Sequence, residues 1–275
     1  MVGEPDRSES LPAKLAMLTS TQNPLIKQIK KLHSPKERRE TQLFLLEGTH
    51  LIQEACAVNY PLETVCCTPT WQERHPELWS LVSDSCDRLE LVGDEVIKSI
   101  ATTVNPDGIV ATAPRLAFAK PPLRANLTLV LATIQDPGNL GTIIRTAAAA
   151  SVDGLWVSHD SVDLDNPKVL RASAGQWFRL AMGVSDNLAE LVKSYQQQGV
   201  RVISTTSHTE TSYWDVDLRS PTLILLGNEG AGLSPDLAAL ADRQVKIPMS
   251  ATVESLNVGT AAALMLYEVR RQQRS

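Results

Sequence analysis

Aromatic residues and long apolar runs are scarce in this sequence, and each shortage excludes a class of protein. Five Trp, four Tyr and three Phe give 12 aromatic side chains among 275 residues, too few to predict a surface that stacks single-stranded nucleic acid. No apolar run reaches the ~18 residues of a transmembrane helix. Residues 1–10 contain acids where a signal peptide would carry a basic and then an apolar stretch. We therefore expect a cytoplasmic protein that does not enter a membrane.

Cysteine and histidine are also few, and their spacing matches no metal or redox motif. The four cysteines include one adjacent pair and no C-x-x-C, so they match neither a zinc ribbon nor a thioredoxin motif. We expect buried thiols at Cys56, Cys66, Cys67 and Cys86. The five histidines form no H-E-x-x-H, and no G-x-S-x-G elbow is present, so the usual signals of zinc hydrolases and α/β-hydrolases are missing. No metal is expected.

The sequence does have the composition of an ordinary globular protein. Apolar residues make up 43% and charged residues 21% of its 275 residues, which is enough for one large or two modest domains. The net charge of −5 taken alone argues against nucleic-acid binding. Charge is segregated, however, because residues 21–50 carry six bases and three acids whereas residues 51–100 carry three bases and nine acids. The basic stretch is either a solvated helical face or a surface for phosphates.

The N-terminal part alternates helical and strand patterns. Residues 1–18 lack a sustained period and predict a flexible tail. Apolar spacing after Asn23 predicts a helix, and Ser34 to Glu37 has the cap, proline and acid of a second helix start. This alternation predicts a small α/β domain over residues 19–113. Its predicted strands are Leu43–Leu46, Thr64–Thr68, Leu89–Val92 and Ile109–Ala111, and its further helices are His50–Val58, Pro76–Val82 and Asp94–Ala101.

A proline-marked linker is predicted to separate this domain from a second one. Residues 114–126 contain Pro114, Pro121 and Pro122, and prolines stiffen linkers. Residues 127–275 predict a second α/β domain, and two continuously apolar strands indicate a parallel sheet buried on both faces. The predicted strands are Leu127–Ile134, Gly154–Val157, Val200–Ser204, Thr222–Leu226 and Gln244–Ile247, with helices near 139–150, 187–198, 234–240 and 256–272.

Three segments of the second domain carry polar and glycine residues where predicted strands end, which is the edge of an α/β sheet at which ligands bind. In the first segment, residues 136–139 predict a tight turn, and Arg145 follows six residues after Asn139. Six residues of helix rotate about 240°. Asn139 and Arg145 therefore serve one site only if Asn139 acts from the turn itself.

The second and third segments place flexible and polar residues at two further strand ends. Residues 227–233, Gly-Asn-Glu-Gly-Ala-Gly-Leu, allow a ligand close to the backbone but match neither a Walker loop nor G-x-G-x-x-G. Residues 247–261 run from Ile-Pro-Met through Ser-Leu-Asn-Val into a helix of small residues. Ser255 and Asn257 bring a hydroxyl and an amide to the start of that helix, where Ser255 is also a possible cap.

Together the three segments resemble the motifs of the SpoU-type RNA ribose 2′-O-methyltransferases of the SPOUT class. The matching stretches are D-P-G-N-L-G-T-I-I-R-T-A at 136–147, G-N-E-G-A-G-L at 227–233, and I-P-M with S-L-N-V at 247–258, in the family's order. Residues 19–113 resemble, more weakly, the RNA substrate-binding domain of many members through Arg39, Phe44, Leu46–Gly48 and Asp107–Ala111. The chain departs from the family pattern at Gln176–Trp177 and Gly259–Thr260.

The resemblance implies an α/β fold in which a C-terminal parallel-sheet SPOUT domain with a trefoil knot follows a smaller α/β substrate-binding domain. It also implies S-adenosylmethionine as cofactor, a homodimer whose second subunit completes the site, and methyl transfer to a ribose 2′-hydroxyl of RNA. By motif position, it assigns cofactor contacts to Gly227, Ile247 and Leu256, and catalysis to Asn139, Arg145, Glu229, Ser255 and Asn257. From the basic stretch we expect RNA binding by Lys30, Lys31, Arg38 and Arg39.

Several alternatives stay open at this point. Ribosomal RNA is the expected substrate because of the appended N-terminal domain, and transfer RNA is the alternative. A non-catalytic RNA-binding protein with a decayed methyltransferase domain and a metabolic nucleotide-binding enzyme are the competing hypotheses. Family proposals make the arginine a base, but a guanidinium stays protonated in proteins. We therefore expect Arg145 to anchor a phosphate and to stabilise a developing alkoxide.

Overall fold

The N-terminal part of the chain folds around a four-stranded mixed sheet. The computed structural model describes residues 17–274. In this sheet the strand order is β1-β4-β2-β3, and only β2 and β3 run parallel to each other. The strands are β1 (Leu43–Glu47), β2 (Leu62–Cys67), β3 (Cys86–Leu91) and β4 (Ile109–Pro114), and the helices are α1 (Pro24–Lys31), α2 (Pro35–Thr41), α3 (Thr49–Ala57), α4 (Pro69–Arg74), α5 (Pro76–Ser85) and α6 (Asp94–Ile100).

The C-terminal part folds around a six-stranded sheet whose strands are all parallel. The strand order is β10-β8-β9-β5-β6-β7, and the prediction of a parallel-sheet α/β domain after a smaller α/β domain is confirmed. The strands are β5 (Leu127–Leu131), β6 (Gly154–Ser158), β7 (Met182–Ser185), β8 (Arg201–Thr205), β9 (Thr222–Leu226) and β10 (Arg243–Val245), and the helices are α7 (Pro137–Ala149), α8 (Pro167–Ala172), α9 (Leu188–Gln197), α10 (Pro235–Ala238) and α11 (Val258–Gln273).

Proline marks most of the helix starts. It lies in the first turn of α1, α2, α4, α5, α7, α8 and α10, where its missing N–H leaves no partner unsatisfied. Side chains before several of these prolines accept a backbone N–H of the first turn, as Asn23 and Asp136 do. The longest helix among residues 17–274 is α11, with 16 residues, and no helix described there combines the length and the apolar composition of a membrane span.

Several element boundaries differ from the sequence-based predictions. The structure contains α4, α8 and β7, which periodicity did not indicate because they have only six, six and four residues. Strand β5 ends at Leu131 rather than at residue 134, because Thr133 adopts the left-handed conformation with φ of 57°. Most of the predicted tail lies outside the described residues. Leu18, its last residue, pairs with the edge of the N-terminal sheet at Val92.

The two sheets share a hydrophobic core, and Trp177 lies where they meet. Its ring centroid is 5.2 Å from that of Phe44 in β1 and 5.0 Å from that of Phe118 in the segment between the domains. Its indole N–H donates to the carbonyl of Leu164 at 2.8 Å. Residues 115–126 contain neither helix nor strand, yet Phe118 packs into this core. Trp177 departs from the family pattern, and its side chain fills the space between the two domains.

The four thiols are free, and two of them are fully buried. Cys66 and Cys67 lie in β2 inside the N-terminal domain, and Cys56 and Cys86 are partly exposed. Burial raises the pKa of Cys66 and of Cys67 to about 12. Their thiols are therefore neutral and unreactive at neutral pH.

Candidate active site

Three of the predicted site residues form a chain of hydrogen bonds at the carboxyl edge of the parallel sheet. The Nδ2 of Asn139 donates to Glu229 Oε1 at 3.1 Å. The Nδ2 of Asn257 donates to Asn139 Oδ1 at 2.8 Å. The three segments that carry these residues follow β5, β9 and β10. We call Glu229, Asn139 and Asn257 the amide relay.

Asn139 lies in the first turn of α7. The helix begins at Pro137, and the carboxylate of Asp136 caps it by accepting the N–H of Asn139 at 2.8 Å. That hydrogen bond, followed by the charge of Lys168, lowers the pKa of Asp136. Asn139 therefore lies within the helix that the sequence predicted near residues 139–150, and the condition under which Asn139 and Arg145 of one chain would share a site is not met. The missing proline N–H and the Asp136 cap let α7 begin two residues earlier.

Glu229 is held by the turn that follows β9. The side chain of Asn228 accepts the N–H groups of Gly230 and Ala231, both at 2.9 Å, and donates to the carbonyl of Thr133 at 2.8 Å. A Cβ on Gly227 would lie 2.3 Å from the carbonyl carbon of Gly232, so only glycine fits there. The carboxylate of Glu229 is thereby presented to the start of α7.

The Glu229 carboxylate accepts hydrogen bonds from three groups of residues 135–139, at and just before the start of α7. Besides Asn139, the backbone N–H groups of Gln135 and Asp136 donate to it at 3.4 and 3.3 Å. Burial is the largest single influence and raises the pKa of Glu229, but these hydrogen bonds and its own backbone N–H outweigh it and lower the pKa below its ordinary value. The carboxylate is ionised at neutral pH. Its contribution to stability is present there and is lost as the pH falls through this lowered pKa.

The orientation of both amides in the relay is fixed from its two ends. An ionised Glu229 can only accept, so it must face the Nδ2 of Asn139. At the other end, Asn257 caps α11, and its Oδ1 accepts the N–H groups of Gly259 and Thr260 at 2.9 and 3.3 Å. That leaves the Nδ2 of Asn257 to donate to Asn139. The cap of α11 is Asn257 rather than Ser255, whose exposed hydroxyl has no partner within residues 17–274.

A cavity of about 330 Å³ adjoins the relay. Glu229, Ser255, Ile247 and Leu256 line it, as do residues 204–208 at the end of β8 and just after it. Gly227 is not part of the wall, although its neighbour Asn228 is. The predicted cofactor residues Ile247 and Leu256 thus lie beside two of the predicted catalytic residues.

A buried hydroxyl in this wall indicates a polar ligand. Ser204, at the end of β8, is 1% exposed, and its Oγ has no hydrogen-bond partner among the described residues. A buried polar atom without a partner is costly, and a bound molecule with donors and acceptors removes that cost. A nucleoside-containing sulfonium cofactor has such groups, so the residues present fit S-adenosylmethionine. Sequence reasoning missed Ser204, although a hydroxyl at the end of a predicted strand was an available signal.

Arg145 lies apart from the relay of its own chain. With both residues inside α7, it is about 9 Å farther along the axis than Asn139 and about 120° around it. It is exposed, and no hydrogen bond or ion pair holds its guanidinium within residues 17–274. Arg145 is therefore free to contact another molecule.

The predicted RNA-binding residues divide into exposed and buried members. Lys30, Lys31 and Arg39 are exposed on α1 and α2. Arg38 is 1% exposed, and its guanidinium donates to Asp165 Oδ1 at 3.1 Å and to Asp163 Oδ2 at 3.0 Å. The prediction that Arg38 binds RNA is corrected, because its donors are used inside the protein. Within residues 17–274, no group of three or more His, Cys, Asp or Glu side chains could hold a metal ion.

Comparison with known families accounts for both parts of the chain. Residues 126–267 match the SpoU rRNA Methylase family, and residues 23–111 match the MRM3-like substrate binding domain. The chain is 45% identical over 264 residues to an uncharacterized tRNA/rRNA methyltransferase of Synechocystis, a match that covers 96% of each protein.

Two further relatives are similar over nearly their whole length. The 23S rRNA (guanosine(2553)-2′-O)-methyltransferase of Bacillus subtilis is 31% identical, and the match covers 93% of this chain and 100% of that protein. The SpoU methyltransferase AviRb of Streptomyces viridochromogenes, solved in complex with AdoMet, superposes with a TM-score of 0.83 at 27% identity over 92% of this chain and 99% of that one. The fold, the motif residues and these matches together identify the chain as a member of the SpoU rRNA methylase family.

Proposed function

We propose that this protein transfers a methyl group from S-adenosylmethionine to a ribose 2′-hydroxyl of ribosomal RNA in the cytoplasm. The observation that carries the proposal is the amide relay beside a cavity with an unpartnered buried hydroxyl, Ser204 Oγ. Relatives named as 23S rRNA 2′-O-methyltransferases support ribosomal RNA as the substrate. The two family matches support a substrate-binding domain over residues 19–113, a linker over 114–126 and a methyltransferase domain over 127–275.

The cofactor would be held in the cavity beside the relay. Ile247 and Leu256 would contact the cofactor from the wall of the cavity, and Ser204 would form a hydrogen bond with one of its polar groups. Gly227 allows the tight turn that carries Asn228. When bound, S-adenosylmethionine supplies an electrophilic methyl group on a sulfonium. Such a transfer needs alignment of the nucleophile, removal of its proton and stabilisation of the charge that develops on oxygen.

The relay suits alignment. Within each amide of Asn139 and Asn257, one N–H is used inside the relay, which leaves the second N–H to donate to the substrate. Ser255 contributes a free hydroxyl from the same wall. Glu229 acts through Asn139 by holding its amide in one orientation. These groups would fix the ribose so that its 2′-oxygen faces the methyl group.

Arg145 would complete the site of a second subunit in a homodimer. The helix geometry separates it from Asn139 of its own chain, and its guanidinium is free. Exposed apolar side chains in the third motif and along α11 support a contact between copies, namely Met249, Val253, Leu264 and Tyr267, which are 36 to 52% exposed. Its charge would anchor a phosphate and favour the ionised form of the hydroxyl. We also propose that the C-terminal domain contains the trefoil knot of the family.

RNA would first meet the basic face of the N-terminal domain. Lys30, Lys31 and Arg39 are exposed there, and exposed cations that neutralise phosphates make affinity salt-dependent. With only 12 aromatic residues, recognition would rest on RNA shape and phosphate contacts.

The direct test of the proposed function maps ribose methylation in total RNA from cells with and without the gene. The proposal expects one or more 2′-O-methyl groups in ribosomal RNA to disappear with the gene and to return when purified protein and S-adenosylmethionine are added to that RNA. Loss of a mark in transfer RNA alone would reassign the substrate. No change in any RNA, together with absent cofactor binding in a calorimetric titration, would indicate a decayed domain.

Substitution of Asn257 separates its role as a helix cap from its role in the relay. Asn257→Asp replaces the amide cap of α11 with a carboxylate cap, and Asp and Asn cap equally well, so the free energy of unfolding should stay within about 0.5 kcal/mol. Aspartate cannot donate to Asn139, so single-turnover transfer should fall on the order of tenfold to a hundredfold. Asn257→Ala should lose the same rate and also about 1 kcal/mol of stability. A near-normal rate in Asn257→Asp would remove Asn257 from the proposed machinery.

Substitution of Arg145 tests whether its fork and charge stabilise the reacting oxygen. Arg145→Lys keeps the charge but loses the bidentate fork and should lose much of the rate. Arg145→Ala should lose more, on the order of 2 to 4 kcal/mol of transition-state stabilisation. Cofactor affinity, measured by titration, should barely change. Unimpaired transfer in Arg145→Ala, or collapse of cofactor binding, would contradict this role.

A heterodimer tests whether Arg145 acts across the subunits. Each of Arg145→Ala and Asn139→Ala alone should be nearly inactive. A heterodimer with one copy of each, purified through two different tags, has one intact composite site and should regain about half of the wild-type activity. An inactive heterodimer would mean that both residues act within one chain.

The basic face should control the salt dependence of RNA binding. Replacement of Lys30, Lys31 and Arg39 by Ala should weaken RNA binding and reduce the slope of log affinity against log salt by about 2 to 3, if each contacts one phosphate. Lys193→Ala, an exposed lysine of the C-terminal domain, is the control. If the triple variant had the RNA affinity and the salt slope of the wild-type protein, residues 21–50 would be an ordinary solvated surface and not an RNA-binding one.

A further inference from the structure

Arg38 is buried between the two domains, although it lies in the basic stretch. Its Nε and Nη2 donate to Asp165 and Asp163 of the C-terminal domain. Its Nη1 donates to the carbonyls of Leu32 and His33, at 3.1 and 3.2 Å, in the turn between α1 and α2. The Arg38 guanidinium therefore joins the basic helices to the C-terminal domain, and Arg39 and Arg115 pair with the other oxygens of the same two aspartates, Asp163 and Asp165.

The two aspartates belong to residues 158–166, which comprise the last residue of β6 and the loop after it, and this segment, called the 158–166 loop, also holds the end of β5. In this loop, Ser158 Oγ accepts the N–H of Thr133 at 2.7 Å, and Asp160 Oδ2 accepts the hydroxyl of Thr133 at 3.0 Å. Ser161 Oγ accepts the N–H of Ile134 at 3.0 Å, while the N–H of Val162 donates back to the Ile134 carbonyl at 2.8 Å. The loop thus fixes the chain where it leaves the sheet.

Thr133 needs this support because its backbone is in the left-handed conformation. Its φ of 57° is unusual for a β-branched residue. Such a conformation persists only where surrounding contacts hold it, and here they come from the 158–166 loop and from Asn228, whose Nδ2 donates to the Thr133 carbonyl. The next residues, Gln135 and Asp136, donate their N–H groups to Glu229. The turn at Thr133 therefore leads into the backbone groups that contact Glu229 of the amide relay.

These contacts form one continuous path, and we propose that Arg38 is a positioning residue for methyl transfer. It ties the basic helices of the substrate-binding domain, through the 158–166 loop and Thr133, to Glu229 and Asn139. The inference rests on the proposed function. Arg38 contacts neither substrate nor cofactor in this proposal. Its loss should therefore lower the rate of methyl transfer and leave the affinities for RNA and for S-adenosylmethionine nearly unchanged.

The alternative is that Arg38 only joins the domains, because removal of one partner from a buried ion pair destabilises any interface. The chain offers a matched control. Arg179 forms another ion pair across the domains, with Glu54 of α3 at 2.5 Å, and no described contact joins its guanidinium to the 158–166 loop. A role limited to joining the domains would lower the melting temperature more for the buried Arg38 than for the half-exposed Arg179, and it would leave the transfer rate at saturating ligands unchanged in both variants.

The experiment measures single-turnover transfer at saturating RNA and S-adenosylmethionine in the full-length Arg38→Met, Arg38→Lys and Arg179→Met variants, with both dissociation constants and the melting temperature. Arg38→Met should lower the rate on the order of tenfold to a hundredfold, as a small misplacement of reacting groups does, while both dissociation constants stay within about twofold of the wild-type values. Arg38→Lys keeps the charge but not the fork of the guanidinium, so its transfer rate should lie between those of Arg38→Met and the wild-type protein. Arg179→Met should transfer at nearly the wild-type rate.

Hydrogen exchange at the amides of residues 133–136 tests the same path without activity. Exchange there should quicken in Arg38→Met and in Arg38→Lys but not in Arg179→Met. A wild-type rate in both Arg38 variants, an equal loss in Arg179→Met, or unchanged exchange would overturn the inference. If the wild-type protein transfers no methyl group, the proposed function fails, and the exchange data still decide whether Arg38 positions this turn.

Discussion

The candidate site depends on one constraint, which is that the Glu229 carboxylate can only accept hydrogen bonds. An asparagine amide looks nearly symmetric, and its two ends exchange donor for acceptor when it rotates by 180°. Glu229 removes that freedom from Asn139 at one end, and the N–H groups at the start of α11 remove it from Asn257 at the other. Two neutral amides thereby become donors with fixed directions, which is the form of preorganisation that an alkyl transfer to oxygen requires.

The parallel sheet explains why the three motifs lie so far apart in sequence. Each element of the relay follows a different strand of one parallel sheet, and parallel strands bring their carboxyl ends to a common edge. The start of α7 supplies Asn139, the tight turn after β9 supplies Glu229, and the cap of α11 supplies Asn257. Backbone geometry at Gly227 and Thr133 fixes the distances between them.

Sequence reasoning predicted the fold class and brought Asn139, Glu229 and Asn257 to one place, because strand ends and motif resemblance are local signals. It predicted a turn over residues 136–139, whereas α7 already begins at Pro137, since the Asp136 cap and Pro137 read equally well as a turn. It also assigned Arg38 to the RNA-binding surface, because a run of basic residues does not reveal which side chain faces the protein interior. The partners of Arg38, Asp163 and Asp165, are more than 120 residues away in sequence. Long-range pairing of this kind has no signature in one sequence.

The measurement that tests this account most directly is the single-turnover rate of methyl transfer in the Glu229→Gln variant, at saturating RNA and S-adenosylmethionine. Glutamine has nearly the shape of glutamate but presents an N–H₂ as well as a carbonyl, so it no longer forces one orientation on Asn139. The account predicts a loss on the order of tenfold or more in a protein that remains folded. A rate within about twofold of the wild-type value would contradict it, because a change that small is less than the loss of one oriented donor produces.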